Sequence, residues 1–214
     1  MSRDWQEWHR AYDDPSSSLS RRLETVRTVL RSLLDERRGP TTLVSLCAGD
    51  GRDTLPVLAE SQADVDAVLV ELDPGLAEQA RASAAALGLS RVEVRTLDAG
   101  STDAVADACP ADLFLTCGVF GNVSDEDVVA TVATLPSLLT RGAHVVWTRG
   151  SRVPLDPTTY EGDGSQLVRR IFADAGFEEI AFVRPEDAGF RVGVHRWPGP
   201  AGVPRRGTRL FTFA

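Results

Sequence analysis

Three stretches of the sequence carry side chains whose type and spacing suit ligand chemistry. The first is Cys47-Ala48-Gly49-Asp50-Gly51-Arg52-Asp53, where two glycines follow an apolar run and precede a helical pattern. Glycines there let the backbone turn tightly and approach a ligand closely. The full GxGxxG fingerprint is absent, because positions 47 and 54 are Cys and Thr, so a plain strand-to-helix turn is the competing reading. The second stretch, Val70-Glu71-Leu72-Asp73-Pro74, ends an apolar run on an acid 20 residues after Gly51. An acid so placed typically hydrogen-bonds a ribose diol. The competing role is to cap the next helix, and Asp73 fills it better than Glu71, since Pro74 then takes the first helical position. The third stretch, Thr96-Leu97-Asp98-Ala99, again ends an apolar run on an acid.

Nucleophiles and bases are sparser. Cys47, Cys109 and Cys117 lack CxxC spacing, so neither a disulfide scaffold nor a metal site is expected. Cys47 has no basic neighbour in sequence to activate it and reads as a small packed residue. All 23 basic residues are arginine, which removes Schiff-base, P-loop-lysine and lysine-base chemistry. His144 opens one apolar run and His195 lies in another, positions that suit structural roles. His9 sits with Trp5, Trp8 and Tyr12 in an aromatic N-terminal segment and is the histidine best able to reach a substrate. Arg149 follows a further apolar run, where it suits an acidic substrate or plain solvent exposure. Residues 151–163, with Arg152, Asp156, Tyr160 and Asp163, form a long Gly/Pro-bearing loop of the kind that often covers a substrate. Phe120 either walls the same space or belongs to the core. Trp5, Trp8, Tyr12, Phe120, Arg149 and Tyr160 thus make up the candidate substrate surface, with His9, Arg149 and Tyr160 as catalytic candidates.

The elements that must position these groups are legible as periodicities. Leu19, Leu23, Val26, Leu30, Leu33 and Leu34 recur at helical spacing, and Gly39-Pro40 marks the end of that helix. Apolar runs at Thr42–Cys47, Ala67–Glu71, Val92–Leu97, Asp112–Cys117 and Ala143–Thr148 alternate with helical patterns around 52–62, 75–87, 101–108 and 124–139. Such alternation predicts a parallel sheet covered on both faces. A helix over 164–175 precedes Glu178–Arg184 and Phe190–Arg196, whose connection is too short for a crossover helix and predicts an antiparallel hairpin. The expected fold is a seven-stranded, mostly parallel α/β sheet of Rossmann-like type.

These motifs in this order resemble the class I S-adenosylmethionine-dependent methyltransferases, over about residues 40–196. Ser45-Leu46-Cys47-Ala48-Gly49-Asp50-Gly51 stands where that family commonly has an acid, an apolar residue and GxGxG. The resemblance implies that Glu71 binds the ribose hydroxyls, that Leu72 packs on the adenine, and that Asp98 and Ala99 form the third motif, in which the acid meets the adenine amino group. It places Cys117 and Gly118 beside the transferred methyl, and the Cys47–Gly51 loop with Arg52 at the cofactor. Asp50 and Arg52 suit the charged methionine end or an ordinary loop; Asp53 reads as a helix-start residue. Ser45 and Cys47 depart from the pattern, leaving backbone carbonyls near Cys47 and Gly118 to receive the ammonium. The loop after the fourth strand lacks the Asn/Asp-Pro-Pro-aromatic signature of enzymes that methylate exocyclic base nitrogens, and Ser124 followed by acids reads as a helix start. The implied activity is in-line methyl transfer from S-adenosyl-L-methionine, leaving S-adenosyl-L-homocysteine, driven by proximity and desolvation. A non-catalytic nucleoside-binding protein, an aminopropyltransferase and an RNA methyltransferase are the competing readings.

Composition sets the outer bounds. The 214 residues allow one domain with a sizeable core, here divided into a cap (1–40) and a cofactor-binding body (41–214). A formal net charge of −8 disfavours a phosphate backbone as partner, despite the arginines at 205, 206 and 209, and so favours a small-molecule acceptor. No apolar run has the roughly 18–20 residues of a membrane span, and the first residues lack a signal peptide's apolar region, so a cytoplasmic protein is expected. Oligomeric state leaves no mark in the sequence.

Overall fold

The computed structural model describes residues 12, 14, 17–150 and 163–213. The first helix, α1 (Ser18–Asp35), starts where the Ser17 side chain accepts from the Ser20 amide. It buries Val26, Leu30, Leu33 and Leu34 along one stripe. Its end differs from expectation: the helix stops at Asp35, and Gly39, at φ +100°, serves the turn into the first strand. β1 (Thr41–Leu46) and β2 (Val65–Glu71) flank the short α2 (Leu55–Glu60). That helix is shorter than its pattern because residues 51–54 close a hydrogen-bonded turn first, Thr54 and Leu55 both donating to the Gly51 carbonyl. α3 (Pro74–Ala86) begins as anticipated, Asp73 accepting from the Gly75 and Leu76 amides with Pro74 in the first turn.

Beyond β3 (Val92–Thr96), the helix expected at 101–108 is two short 3-10 turns, Thr102–Ala104 and Ala106–Ala108. After β4 (Ala111–Thr116), α4 (Asp125–Thr134) is capped by Ser124 and gives way to a 3-10 turn at Leu135–Leu138. Pro136 lacks the N–H that would continue the helical ladder, which explains the early stop. β5 (Leu139–Gly150) is correspondingly longer than expected, and α5 (Gly164–Asp174), β6 (Glu178–Val183) and β7 (Phe190–Arg196) follow.

The seven strands form one sheet in the order β3-β2-β1-β4-β5-β7-β6. β1 through β5 pair in parallel, and β7 runs antiparallel to both β5 and β6. β6 therefore points the same way as the first five strands, and β7 alone is reversed. From β1 the chain winds outward through β2 and β3, then returns to the other side of β1 for β4 and β5. This reversal leaves a crevice outside the C-terminal ends of β1 and β4, where open α/β sheets bind ligands. Alternating side chains feed two cores: Val44, Leu46, Phe114, Val145 and Trp147 on the face covered by α4 and α5, and Leu43, Leu69, Leu113, Leu115 and Val146 on the face covered by α1 to α3.

Candidate functional site

A cavity of about 280 Å³ opens at that crevice, walled by the loops after β1, β2, β3 and β4 and by the first turns of α1. The loop after β1 is shaped by three left-handed backbone angles at alternate residues, Cys47 (φ +53°), Gly49 (+59°) and Gly51 (+75°). Gly51 cannot be replaced without strain, because a Cβ there would lie 2.6 Å from Leu55 Cδ1. Glu71 ties this loop to the next: one carboxylate oxygen accepts from the Gly49 amide and the other from the Asp73 amide, each at 2.8 Å. Each oxygen has a further lone pair, so an acceptor held rigid at the cavity rim remains open to hydroxyl donors. Leu72, 64% exposed, lines the cavity as a bare apolar surface. Asp98 is held at both oxygens, by the Gly100 amide (2.8 Å) and by Arg209 (2.6 Å). Burial works against its charge, but the bonds from Arg209 and Gly100 prevail and hold its carboxyl below the usual range.

The other end of the cavity is lined by opposed charges around an aromatic ring. Arg22 on α1 donates to the Tyr12 hydroxyl at 2.7 Å, and the Arg52 guanidinium lies 4.6 Å over the Tyr12 ring. Arg52 also forks onto the Asp50 carboxylate (2.8 and 2.9 Å), while Arg27 braces the Arg52 carbonyl. Asp53 faces the same space, receiving a hydrogen bond from the Thr54 hydroxyl at 3.0 Å. Burial pushes its carboxyl up, and neighbouring Asp50 adds to this against the Thr54 bond. Burial likewise raises the thiols of Cys47, beside Glu71 and Asp98, and Cys117, beside Asp53, so neither is poised as a thiolate. The Gly118 amide donates to Thr148 Oγ1 and its carbonyl accepts from Asn122, which holds the loop after β4 in place.

The residues assigned to a cofactor from sequence converge here: Cys47, Ala48, Gly49, Asp50, Arg52, Glu71, Leu72, Asp98, Ala99, Cys117 and Gly118 all line the one cavity. Gly51 sits behind it, against Leu55 and Leu69. Of the acceptor candidates, Tyr12 lines the cavity. Phe120 does not: it is fully buried 6.3 Å from both Trp147 and Phe172, so it is a core residue and the acceptor-wall expectation is corrected. Arg149 is drawn away as well, paired with Asp125 at 3.0 Å and packed over Gly164. Asp163 turns inward to cap α5 and pair with Arg191. Trp5, Trp8, His9, Arg152, Asp156 and Tyr160 lie outside the described residues. His144 bonds Arg37, and His195 is buried against Trp147 and Phe172, both away from the cavity.

Several lining residues escaped sequence reasoning. Arg22, Leu23 and Val26 were absorbed into the amphipathic pattern of α1, and only their place at the start of that helix could have hinted at the crevice. Phe213 ends a basic stretch that goes on to alternate apolar and polar residues, a pattern that predicts packing on the body and does not tell which residue faces a cavity.

No family model matches the chain, and no curated protein matches it. Solved structures do. A possible exported protein from Bordetella parapertussis superposes with a TM-score of 0.63 at 17% identity, over 84% of this chain and 68% of that one. A SAM-dependent methyltransferase from Aquifex aeolicus gives 0.56 at 16% identity, over 79% and 88% of the two chains. The [4+2]-cyclase SpnF gives 0.56 at 15%, over 81% and 82%. At these identities the likeness establishes the fold, and the chemistry rests on the site.

Proposed function

We propose that this chain is an S-adenosylmethionine-dependent methyltransferase acting on a small-molecule acceptor. One observation carries the reading: a single cavity joins a nucleoside-type end to a zwitterion-type end. At the first, Glu71 offers fixed carboxylate acceptors for a ribose diol, Leu72 an exposed apolar face for a purine, and Asp98 an anionic acceptor for its amino group. At the second, Arg22 and Arg52 complement a carboxylate and Asp53 complements an ammonium, which takes over the task that Ser45 leaves open. The cofactor's demands are thus met by groups already in place. When bound, S-adenosylmethionine supplies a methyl group on a positively charged sulfur, already activated toward attack.

The protein's part is to bind, align and exclude water, and to offer the acceptor only the approach opposite the departing sulfur. Residues 1–40 act as the cap in this reading, with Tyr12 and the start of α1 closing the cavity over the 41–214 body. The acidic charge of −8 supports a small acceptor over nucleic acid. No helix among the described residues is long and apolar enough to cross a membrane, and the three free thiols suit the reducing cytoplasm proposed for the protein.

Calorimetric titration tests the cofactor reading. Wild-type protein is expected to bind S-adenosylmethionine and S-adenosylhomocysteine, and Glu71→Ala to bind at least tenfold more weakly, the loss of about 1.4 kcal/mol or more. No heat of binding at millimolar ligand overturns the proposal; equal affinity in the variant overturns the ribose assignment.

A further inference from the structure

Beyond β7 the chain does not drift over the surface but returns to the cavity. Arg209 forms an antiparallel bridge with Ser101, the Leu210 amide donates to the Gly100 carbonyl at 2.8 Å, and the Thr102 amide donates to the Thr208 carbonyl at 3.0 Å. On the other side, the Thr131 hydroxyl of α4 donates to the Leu210 carbonyl (2.8 Å) and the Thr212 amide to Asp127 (3.2 Å). Leu210 and Phe211 are buried in the core shared with α4. The approach is close enough to require glycine: a Cβ on Gly100 would lie 2.3 Å from the Phe211 carbonyl oxygen. Two side chains of this segment then reach the site. Arg209 pairs with Asp98, and Phe213, set edge-on against Phe211 at 5.5 Å, lines the cavity.

We propose that residues 207–213 are a strap that completes the purine end of the cavity, with Phe213 as a packing face for the base and Arg209 as the positioning residue that orients Asp98 toward its exocyclic amino group. This rests on the cofactor reading above and goes beyond it, since neither residue belongs to the sequence motifs that suggested a nucleoside. A purine needs an apolar face, and Leu72 supplies one; Phe213 adds an aromatic one, and a base stacked on an aromatic ring gains substantially. An amino group on the purine donates most strongly to an anionic acceptor set at the right angle. Arg209 gives Asp98 that angle by holding the oxygen that the Gly100 amide leaves free to swing. The Arg209–Asp98 pair is solvent-exposed, with 56% and 51% of the two side chains accessible, so its contribution to stability is small and a structural role alone would not account for a ligand-specific effect.

The test is to measure dissociation constants for S-adenosylhomocysteine and for S-inosylhomocysteine, which carries a 6-oxo group in place of the amine. Wild-type protein prefers the adenine compound. Phe213→Ala weakens both ligands about tenfold, and Phe213→Tyr, which keeps the ring, restores binding to within about threefold of wild type. Arg209→Gln lowers the adenine-over-hypoxanthine preference about threefold or more while the thermal midpoint hardly moves. Phe213→Ala affinities within twofold of wild type, or an unchanged preference in Arg209→Gln, overturn the strap. Wild-type protein that binds neither compound overturns the cofactor reading itself, and the strap with it.

Discussion

Cys47 holds a backbone angle, φ +53°, that side chains rarely adopt, at the position where a glycine would be at ease. A left-handed angle costs an ordinary residue about 1–2 kcal/mol, while glycine loses part of that advantage through its greater freedom when unfolded. Cys47→Gly is therefore expected to stabilise the protein by up to about 1 kcal/mol in denaturant melts, without loss of ligand affinity. A destabilised variant would mean that the buried thiol contributes more packing than the strain costs. At the same scale, Glu71 matters to the unliganded protein too, because its carboxylate satisfies the amides of both Gly49 and Asp73. Its substitution by alanine is expected to cost about 1–3 kcal/mol of stability in addition to affinity, and Glu71→Gln, which can satisfy only one of the two amides, to fall between.

At the scale of elements, the reversed strand β7 carries two buried polar groups that make stability depend on pH. His195 accepts a hydrogen bond from Trp147 Nε1 at Nδ1 (3.0 Å), which leaves its proton on Nε2, 3.7 Å from Glu179. Burial lowers its pKa from 6.5 to about 4, with Glu179 opposing and Arg169 assisting. The unfolded chain therefore takes up a proton below pH 6.5 that the folded chain refuses. Stability present above that pH is lost as pH falls toward 4, by about 3 kcal/mol when fully developed. His195→Leu should flatten the part of this slope between pH 6.5 and 5, read from urea melts; an unaltered slope would place the effect elsewhere. Earlier on the same strand, Arg191 is fully buried and held by Asp163 at 3.0 Å. Burial raises the Asp163 carboxyl, but bonds from Ser165 and Arg191 bring it below its ordinary range, so the stability this pair contributes is lost as pH falls from the ordinary carboxylate value down through that lowered one. Asp163→Ala strands the arginine and is expected to cost about 3–5 kcal/mol.

The elements were legible where local pattern decides them. Strands buried on both faces must be apolar throughout, and Asp73-Pro74 and Ser124 carry their helix starts in their own chemistry. The pattern failed where tertiary context decides: Ala-rich 101–108 has helical composition, yet it is drawn into 3-10 turns alongside the strap that Arg209 and Leu210 form. Glu71, Leu72 and Asp98 were readable because each ends a strand at the ligand edge. Arg22 and Phe213 were not, because nothing in a helix stripe or in an alternating terminal stretch tells which residue faces a cavity made by other elements.

For the whole molecule, topology explains why the site lies where it does. The chain leaves β1 in one direction and returns for β4 in the other, so the loops after both strands part to form the crevice. Chain segments from both ends of the sequence then close over it, Tyr12 with α1 on one side and residues 207–213 on the other. A ligand that joins these separate segments binds only the folded state, so S-adenosylhomocysteine at a hundredfold its dissociation constant should raise global stability by about 2.7 kcal/mol. The thermal midpoint should rise with ligand concentration, and a midpoint indifferent to ligand would separate the cavity from any cofactor. The most direct test of the central claim is a crystal structure of the complex with S-adenosylhomocysteine. The account predicts the ribose hydroxyls within about 3 Å of the Glu71 carboxylate, the purine against Leu72 and Phe213, and the amino-acid end among Arg22, Arg52 and Asp53. A ligand bound outside this cavity, or within it with the ribose away from Glu71, would contradict the account.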